Sequence, residues 1–217
     1  MGYSIWENGT TKHGFPIDLM VSSLQKSIRR GGETDEVVDD EGHTGQWFLE
    51  NAVRVAYELY TSSPVLLEKL WSRLVSISVE DCGCRPEAAV YVHTLNQMRK
   101  DYGYDDVDQP MFFVQAIRIL CGGEKDRSTD FLKNIVIKSA EMGQLPEIPD
   151  LAYDKHTKRG QELGRDSFHF FNEACRVIPQ KDVENRYRER YGELLDEYYH
   201  GDTPHDPDAF VYAIGRV

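Results

Sequence analysis

Residues 78–87 read Ser-Val-Glu-Asp-Cys-Gly-Cys-Arg-Pro-Glu, a stretch that places two acids beside a Cys-Gly-Cys sequence. Gly83 suits the left-handed backbone conformation that ends many helices, and Pro86 suits the first turn of a new one. Apolar residues recur at helical spacing before the stretch, at Leu67, Leu70, Trp71, Leu74 and Ile77. The stretch therefore predicts a corner at which one helix ends and the next begins.

Similar start and stop signals recur along the chain. Thr44 and Ser63 precede runs of periodic apolar residues, as N-cap residues do, and Pro64 suits a first helical turn. Paired glycines follow two further periodic runs, at 31–32 and 122–123, and no alternating run is long enough to predict a strand. We therefore predict an all-α protein, a compact bundle or collar of short antiparallel helices with a helical C-terminal extension.

Changes in composition divide the chain into parts. Residues 1–16 predict an irregular N-terminal arm, and residues 17–143 predict a helical domain. The segment 143–149 contains two prolines and is the best internal boundary. Residues 150–217 predict a helical extension that holds a basic segment and ends in an irregular tail.

Charge is the most informative bulk property of this 217-residue chain, which has a formal net charge of −12. So acidic a protein is repelled by nucleic-acid phosphates and anionic membranes unless it concentrates cations locally, which favours protein partners. No apolar run approaches the ~20 residues that span a bilayer, and the N-terminus lacks a secretory-signal pattern. Four cysteines are too few and too unevenly spaced for a disulfide scaffold. These features predict a cytoplasmic protein that does not enter the membrane.

Three segments carry a likeness to a known family. Residues 24–31 read Leu-Gln-Lys-Ser-Ile-Arg-Arg-Gly, residues 115–121 read Gln-Ala-Ile-Arg-Ile-Leu-Cys, and residues 70–83 contain Leu-Trp-Ser-Arg-Leu before Ser-Val-Glu-Asp-Cys-Gly. They resemble, in the same order, segments of the C-terminal domain of the RarA/MgsA-type replication-associated recombination ATPases, which are relatives of clamp loaders. The likeness runs from Ile17 to about Ile137 and leaves the chain after Pro149 unmatched.

The resemblance implies a helical domain that mediates oligomerisation, with a tetramer as the usual state, in proteins that act at stalled or single-stranded replication forks. On the matching positions it implies a structural signature made of Lys26, Arg29, Glu80, Asp81 and Gly83. It also places Cys82 and Cys84 at aliphatic-like positions, so both are expected to face the core.

The ATPase core of that family has no counterpart in this sequence. A phosphate-binding loop requires Gly-x-x-x-x-Gly-Lys-Ser/Thr, and residues 122–128, Gly-Gly-Glu-Lys-Asp-Arg-Ser, lack this spacing. A Gly-x-Ser-x-Gly nucleophile motif is also missing. We therefore expect neither ATP hydrolysis nor another enzymatic activity, and no cofactor. The acidic loop over 33–41 is longer than the family's equivalent, which bears on the geometry of an oligomer.

Glu80 and Asp81 invite comparison with a catalytic carboxylate pair. Adjacent helical residues point about 100° apart, so the two carboxylates would not share one substrate atom. We expect instead a structural ion pair with Arg29, Arg73 or backbone N–H groups near 85–87. No metal or redox site is expected at the cysteines, because a Cys-x-Cys pair is tighter than the usual zinc spacing.

A basic segment, residues 154–165, follows the family-like region. It concentrates the side chains of Lys155, His156, Lys158, Arg159 and Arg165. Such a cluster can hold the phosphate of a nucleotide or a nucleic acid, whereas the alternative is that these cations pair internally with the surplus carboxylates. A metal site made of Asp154, His156 and His169 is a weaker alternative, and His200 and His205 are interpreted as part of a tail.

Three functional hypotheses follow from these observations. The first is a non-enzymatic helical assembly or adaptor module that forms a homo-oligomer or docks with a replication or repair ATPase. The second is a small enzyme for a phosphate-containing substrate, centred on Asp154, His156, Arg159 and Arg165. The third is a nucleic-acid-binding adaptor that uses Lys155, Lys158 and Arg159. The resemblance favours the first hypothesis.

Overall fold

Helices account for all regular secondary structure in the part of the chain that the structure describes. The computed structural model describes residues 9–204 and 206, without the side chain of residue 183. Within these residues, β pairing is confined to isolated bridges, such as the one between Cys82 and Asp126. The prediction of an all-α fold is confirmed.

Two compact units divide the chain, Met1–Gln144 and Leu145–Val217, and the division falls inside the two-proline segment 143–149. The described residues of the first unit form six α-helices: α1 Ile17–Arg30, α2 Gly45–Ser62, α3 Pro64–Glu80, α4 Pro86–Met98, α5 Gln109–Cys121 and α6 Ser128–Glu141. A 3₁₀ turn, Arg99–Asp101, follows α4.

Local capping chemistry explains where α2, α3 and α4 begin. Thr44 Oγ1 accepts a hydrogen bond from the Trp47 N–H (3.1 Å), which satisfies one of the free donors at the start of α2. Ser63 Oγ does the same for the Leu66 N–H (3.2 Å) at the start of α3. Prolines occupy the first turns of α3 and α4, where a missing N–H costs nothing. The predicted starts of these helices are confirmed.

The hydrophobic core lies among α1 to α5. Helix α2 packs against α1, α3 and α5, while α4 packs against α3 and α5. The largest fully buried apolar side chains are Trp71, Phe113, Leu24, Ile28, Leu59, Leu70, Leu74, Ile77, Ile117 and Leu120. Each buried side chain of this size contributes about 1.5–3 kcal/mol relative to exposure. The first unit thus holds a complete core that ends with α5.

Residues 9–16 form an irregular turn that lies against the end of α2; residues 1–8 lie outside the described part. The Thr11 N–H donates to the Phe15 carbonyl (2.8 Å), which closes the turn. The Lys12 N–H donates to Ser62 Oγ (3.0 Å), and His13 Nδ1 lies 2.6 Å from Glu58 Oε2.

The second unit is built from short helical pieces and one long helix. These are a 3₁₀ turn Asp150–Ala152, α7 Lys158–Glu162, α8 Ser167–His169, a π-helical turn Phe170–Ala174 and α9 Asp182–His200. Leu195 is the only buried hydrophobic residue among the described residues of this unit, so its core is small. No helix in the described part of the chain combines the length and apolar character needed to cross a membrane.

Candidate functional site

The corner between α3 and α4 is braced by ion pairs around Asp81, whose side chain is fully buried. Arg29 Nε lies 2.8 Å from Asp81 Oδ1, and Arg29 Nη2 lies 2.9 Å from Glu80 Oε1. Arg127 faces the same two carboxylates, with Nη2 3.2 Å from Glu80 and Nε 3.0 Å from Asp81. Gln25 Nε2 donates to Asp81 Oδ2 at 3.0 Å. Two guanidinium groups therefore neutralise the two carboxylates and tie α1 and the start of α6 to this corner.

Of the alternative partners expected for the two acids, Arg29 is present and Arg73 is not, while the left-handed conformation expected of Gly83 is wrong. In the described residues, Arg73 donates to Gln25 Oε1 (2.5 Å) rather than to a carboxylate, because the Gln25 amide lies between them. Gly83 does not have a positive φ. A Cβ added there would lie 2.8 Å from Thr129 Oγ1, so glycine is needed because α6 approaches closely.

The family-like signature residues are only partly gathered in space. Arg29, Glu80 and Asp81 are in contact, and Gly83 lies in the adjoining turn, where its N–H donates to the Asp126 carbonyl (3.1 Å). Lys26 is exposed on α1. The network that forms has the features of a structural brace rather than of an open catalytic site.

The four cysteines are free thiols in different surroundings. Cys82 and Cys121 are buried, and burial raises the pKa of both thiols, that of Cys121 to about 12. These two thiols therefore stay protonated and behave as small apolar groups. Cys84 is exposed, so the expectation that it faces the core is wrong: it follows Gly83 in a turn, where the spacing of a helix face does not apply. Cys175 is half-buried.

In the second unit, Arg165 of the basic segment is committed to internal contacts. Its Nη2 lies 2.7 and 2.6 Å from the two carboxylate oxygens of Asp150. Its Nη1 donates to the carbonyls of Asp150 (2.5 Å) and Tyr153 (2.9 Å). This arginine therefore closes the turn that precedes α7 rather than presenting a free charge.

His156 and Arg159 are also paired within the segment. His156 Nδ1 lies 3.1 Å from Asp154 Oδ2, and this hydrogen bond is the main reason that the pKa of Asp154 is lowered. Arg159 Nη1 lies 3.1 Å from Glu162 Oε2 on the surface. His156, Arg159 and Arg165 therefore pair with carboxylates of the same unit, which is the alternative to phosphate binding.

Lys155 and Lys158 differ from the other cations of the segment. Lys158 is exposed and has no ion-pair partner among the described residues. Lys155 Nζ donates to Ser167 Oγ (3.1 Å), and Ser167 Oγ lies 3.2 Å from the Tyr199 hydroxyl. Lys155 Nζ also lies 5.5 Å from the centre of the Phe170 ring. This lysine thus joins α8 and α9 through hydroxyl groups rather than through a carboxylate.

His200 belongs to α9, so its interpretation as part of a tail is wrong. Its Nδ1 lies 2.8 Å from Asp196 Oδ1, one helical turn earlier, and its ring stacks on Phe168 with centroids 5.1 Å apart. The helix continues to this residue because these contacts hold its last turn against α8. His205 lies outside the described residues.

The acidic loop contains a group that the sequence did not single out. Among the described residues, only Asp39, Glu41 and His43 form a set of three metal-ligating side chains with converging atoms; Asp154, His156 and His169 do not. His43 Nδ1 lies 2.9 Å from Asp39 Oδ2. Burial acts to raise the pKa of Asp39, but hydrogen bonds from His43 lower it overall. Both carboxylate oxygens of Asp39 are hydrogen-bonded to His43.

The face of α6 is the most unusual surface of the first unit. No residue of α6 is buried. Four of its apolar side chains follow helical spacing and are 57–62% exposed; we call Phe131, Leu132, Ile135 and Val136 the α6 face. The helix is anchored at its start, where the Asp126 N–H donates to the Asp81 carbonyl (2.9 Å).

Comparison with known proteins adds no relative to these observations. No protein-family model matches the chain, and no curated protein matches it. The contacts and exposed surfaces described above are therefore the basis on which a function is proposed.

Proposed function

We propose that this protein is a helical assembly module that self-associates through the α6 face. The observation that carries the proposal is the row of four large apolar side chains, each more than half exposed, on a helix without a buried residue. Contiguous apolar surface of this kind marks protein–protein interaction sites more often than free surface.

The energetics of α6 support an interface on this helix. Isolated helices of fewer than about 12–15 residues are marginal in water, and burial of an apolar face supplies most helix stability in proteins. Helix α6 has 14 residues and is tied down mainly at its N-terminal end, by Arg127 and Asp126. Covering its apolar face would supply the stabilisation that the first unit does not provide.

Charge favours a second copy of this chain as the partner. Helix α6 carries two acids and two lysines, paired as Asp130 with Lys133 (2.6 Å) and Lys138 with Glu141 (2.6 Å). The helix is therefore neutral, although the whole chain has a net charge of −12. Two copies that meet through α6 avoid most of the repulsion between their acidic surfaces.

The resemblance to the C-terminal domain of RarA/MgsA-type ATPases points in the same direction, because that domain mediates oligomerisation. We extend the proposal to an adaptor role in which the assembled helices dock with a separate replication or repair ATPase. The two alternatives have less support. The residues assigned to nucleic-acid binding or phosphate chemistry include His156, Arg159 and Arg165, whose side chains pair with neighbouring carboxylates.

The α6 face is tested by Ile135→Glu and a matched control. Ile135 and Val90 are exposed to the same degree, 61% and 62%, on α6 and α4. A buried glutamate in the interface is expected to weaken self-association by about tenfold or more, measured by sedimentation velocity over a range of concentrations. Val90→Glu adds the same charge and should leave self-association unchanged.

Thermal unfolding of both variants at a low protein concentration separates assembly from folding. Exposed substitutions usually change monomer stability by less than about 0.5 kcal/mol, so both variants should unfold like the wild type. The proposal is wrong if Ile135→Glu associates as the wild type does, or if both variants weaken association equally.

A further inference from the structure

Two adjoining cavities in the second unit meet at Lys155, Ser167 and Tyr199. The first, of about 360 Å³, is also bounded by Gln161, Arg165 and His200. The other, of about 350 Å³, is walled by Tyr191, Leu194, Leu195 and Tyr198. Both volumes lie at the small end of the range for small-molecule sites. The three shared residues form the Lys155–Ser167–Tyr199 group.

This group combines the Lys155 ammonium with two hydroxyl groups. The lysine contacts a hydroxyl rather than a carboxylate, so its positive charge is not neutralised by an ion pair. Lys155 Nζ spends one of its three donors on Ser167 Oγ (3.1 Å), and the Tyr199 hydroxyl lies 3.2 Å from the same oxygen. Among the other groups that line the first cavity, Arg165 and Asp166 have hydrogen-bond partners of their own. Arg165 pairs with Asp150, and Asp166, the acid in the wall, accepts from the His169 N–H (2.9 Å).

We propose that the Lys155–Ser167–Tyr199 group binds the phosphate of a small aryl phosphate ester, whose ring occupies the adjoining apolar cavity. The ammonium keeps two donors and the Ser167–Tyr199 pair keeps one hydroxyl proton, so the group can donate to the oxygens of a phosphate monoester. The Tyr and Leu walls of the second cavity suit an aromatic body attached to that phosphate. The site is distinct from the α6 face and does not depend on self-association.

The donors of this site come from three separate parts of the second unit. Lys155 precedes α7, Ser167 begins α8 and Tyr199 lies in the last turn of α9. The Phe168 ring stacks on His200 beside them and fixes α8 against α9. Ligand binding should therefore stabilise the second unit as well as occupy the cavities.

Titration of the full chain with phenyl phosphate, inorganic phosphate and phenol, followed by calorimetry and ligand-observed NMR, tests the site. Phenyl phosphate is expected to bind more tightly than either of its parts. Lys155→Met should weaken its binding by about tenfold or more, because it removes a charge-assisted hydrogen bond. Lys158→Met, which removes an exposed lysine three positions away, should leave the affinity unchanged.

Tyr199→Phe provides a second variant that keeps the aromatic packing and loses only the hydroxyl. Its affinity for phenyl phosphate should fall about tenfold while the amide NMR spectrum of the protein keeps its dispersion. The proposal is overturned if the wild type shows no saturable binding, if Tyr199→Phe binds as the wild type does, or if Lys158→Met loses as much affinity as Lys155→Met. Equal affinity for inorganic phosphate and phenyl phosphate would overturn the assignment of the apolar cavity.

Discussion

Asp81 lies without exposed surface between Arg29 and Arg127, and Gln25 donates to its second oxygen. Transfer of a carboxylate from water to such a position costs several kcal/mol, which the two guanidinium groups offset only while all partners are present. Glu80 shares these arginines but keeps 28% of its side chain exposed, so water still solvates it. Loss of the Asp81 charge should therefore lower the free energy of unfolding more than loss of the Glu80 charge, because only Asp81 is desolvated.

Asp81→Asn keeps the shape of the side chain and removes its charge, which leaves two guanidinium groups without a buried counter-charge. We expect a loss of about 3–5 kcal/mol in the free energy of unfolding, measured by urea denaturation. Glu80→Gln is the matched control, and its loss should stay near 1 kcal/mol because its site is partly hydrated. Equal losses for the two variants would contradict the central role of Asp81.

Glu68 and Arg99 form a second pair in which one partner is buried. Arg99 is 4% exposed and its Nη2 lies 2.7 Å from Glu68 Oε2, whereas Glu68 is 65% exposed. The hydrogen bond from Arg99 is the main reason that the pKa of Glu68 is lowered. A carboxylate with a lowered pKa stabilises the fold above its ordinary pKa, and this stabilisation disappears as the pH falls through the lowered value.

The pH dependence of this pair is tested by Glu68→Gln. The melting temperature of the variant should lie below that of the wild type at neutral pH, and the gap should narrow as the pH falls below the ordinary value of 4.5. Glu147→Gln, at an exposed position near the start of the second unit, should show no such gap. A gap for Glu68→Gln that stays constant through acid pH would refute the ion-pair explanation.

At the scale of elements, Gly83 shows how one position fixes the approach of a helix. A Cβ there would meet Thr129 Oγ1 at 2.8 Å and Asp126 Oδ2 at 3.1 Å, at the start of α6. Gly83→Ala should destabilise the first unit by about 1–3 kcal/mol in chemical denaturation, because the start of α6 must move. Gly103→Ala has open space around it and should cost no stability. A harmless Gly83→Ala would mean that α6 is not held at the corner.

The sequence predicts the elements better than it predicts their contacts. Thr44, Ser63 and Pro86 define helix starts through interactions within one turn, so their roles can be read without a structure. The pairing of Arg127 with Glu80 spans 47 residues, and no local sequence pattern predicts it. The exposure of the α6 face is equally non-local, because periodicity marks an apolar face but not what covers it.

The candidate phosphate site also depends on contacts between residues that are distant in the sequence. Composition drew attention to the basic segment, and Lys155 was among its members. The hydroxyl of Tyr199 could not be included, because it comes from a helix 44 positions further along the sequence. Internal pairing of Arg165 with Asp150 spans 15 positions and was likewise beyond local reasoning.

On the scale of the whole molecule, an acidic chain carries a row of exposed apolar side chains on a neutral helix. The core of the first unit is complete without α6, since every residue of the main cluster lies between Ile17 and Cys121. The α6 face therefore contributes no residue to the core of the unit, and we propose that it contacts another copy of the chain. Self-association through this face therefore changes the mass of the protein in solution.

Light scattering coupled to size-exclusion chromatography measures that mass most directly. The wild-type chain has a monomer mass of 25.0 kDa. We predict a mass that rises with concentration toward a whole multiple of this value, because the α6 face is covered by a second copy. A mass of 25.0 kDa at every concentration would show that the α6 face does not hold a second copy.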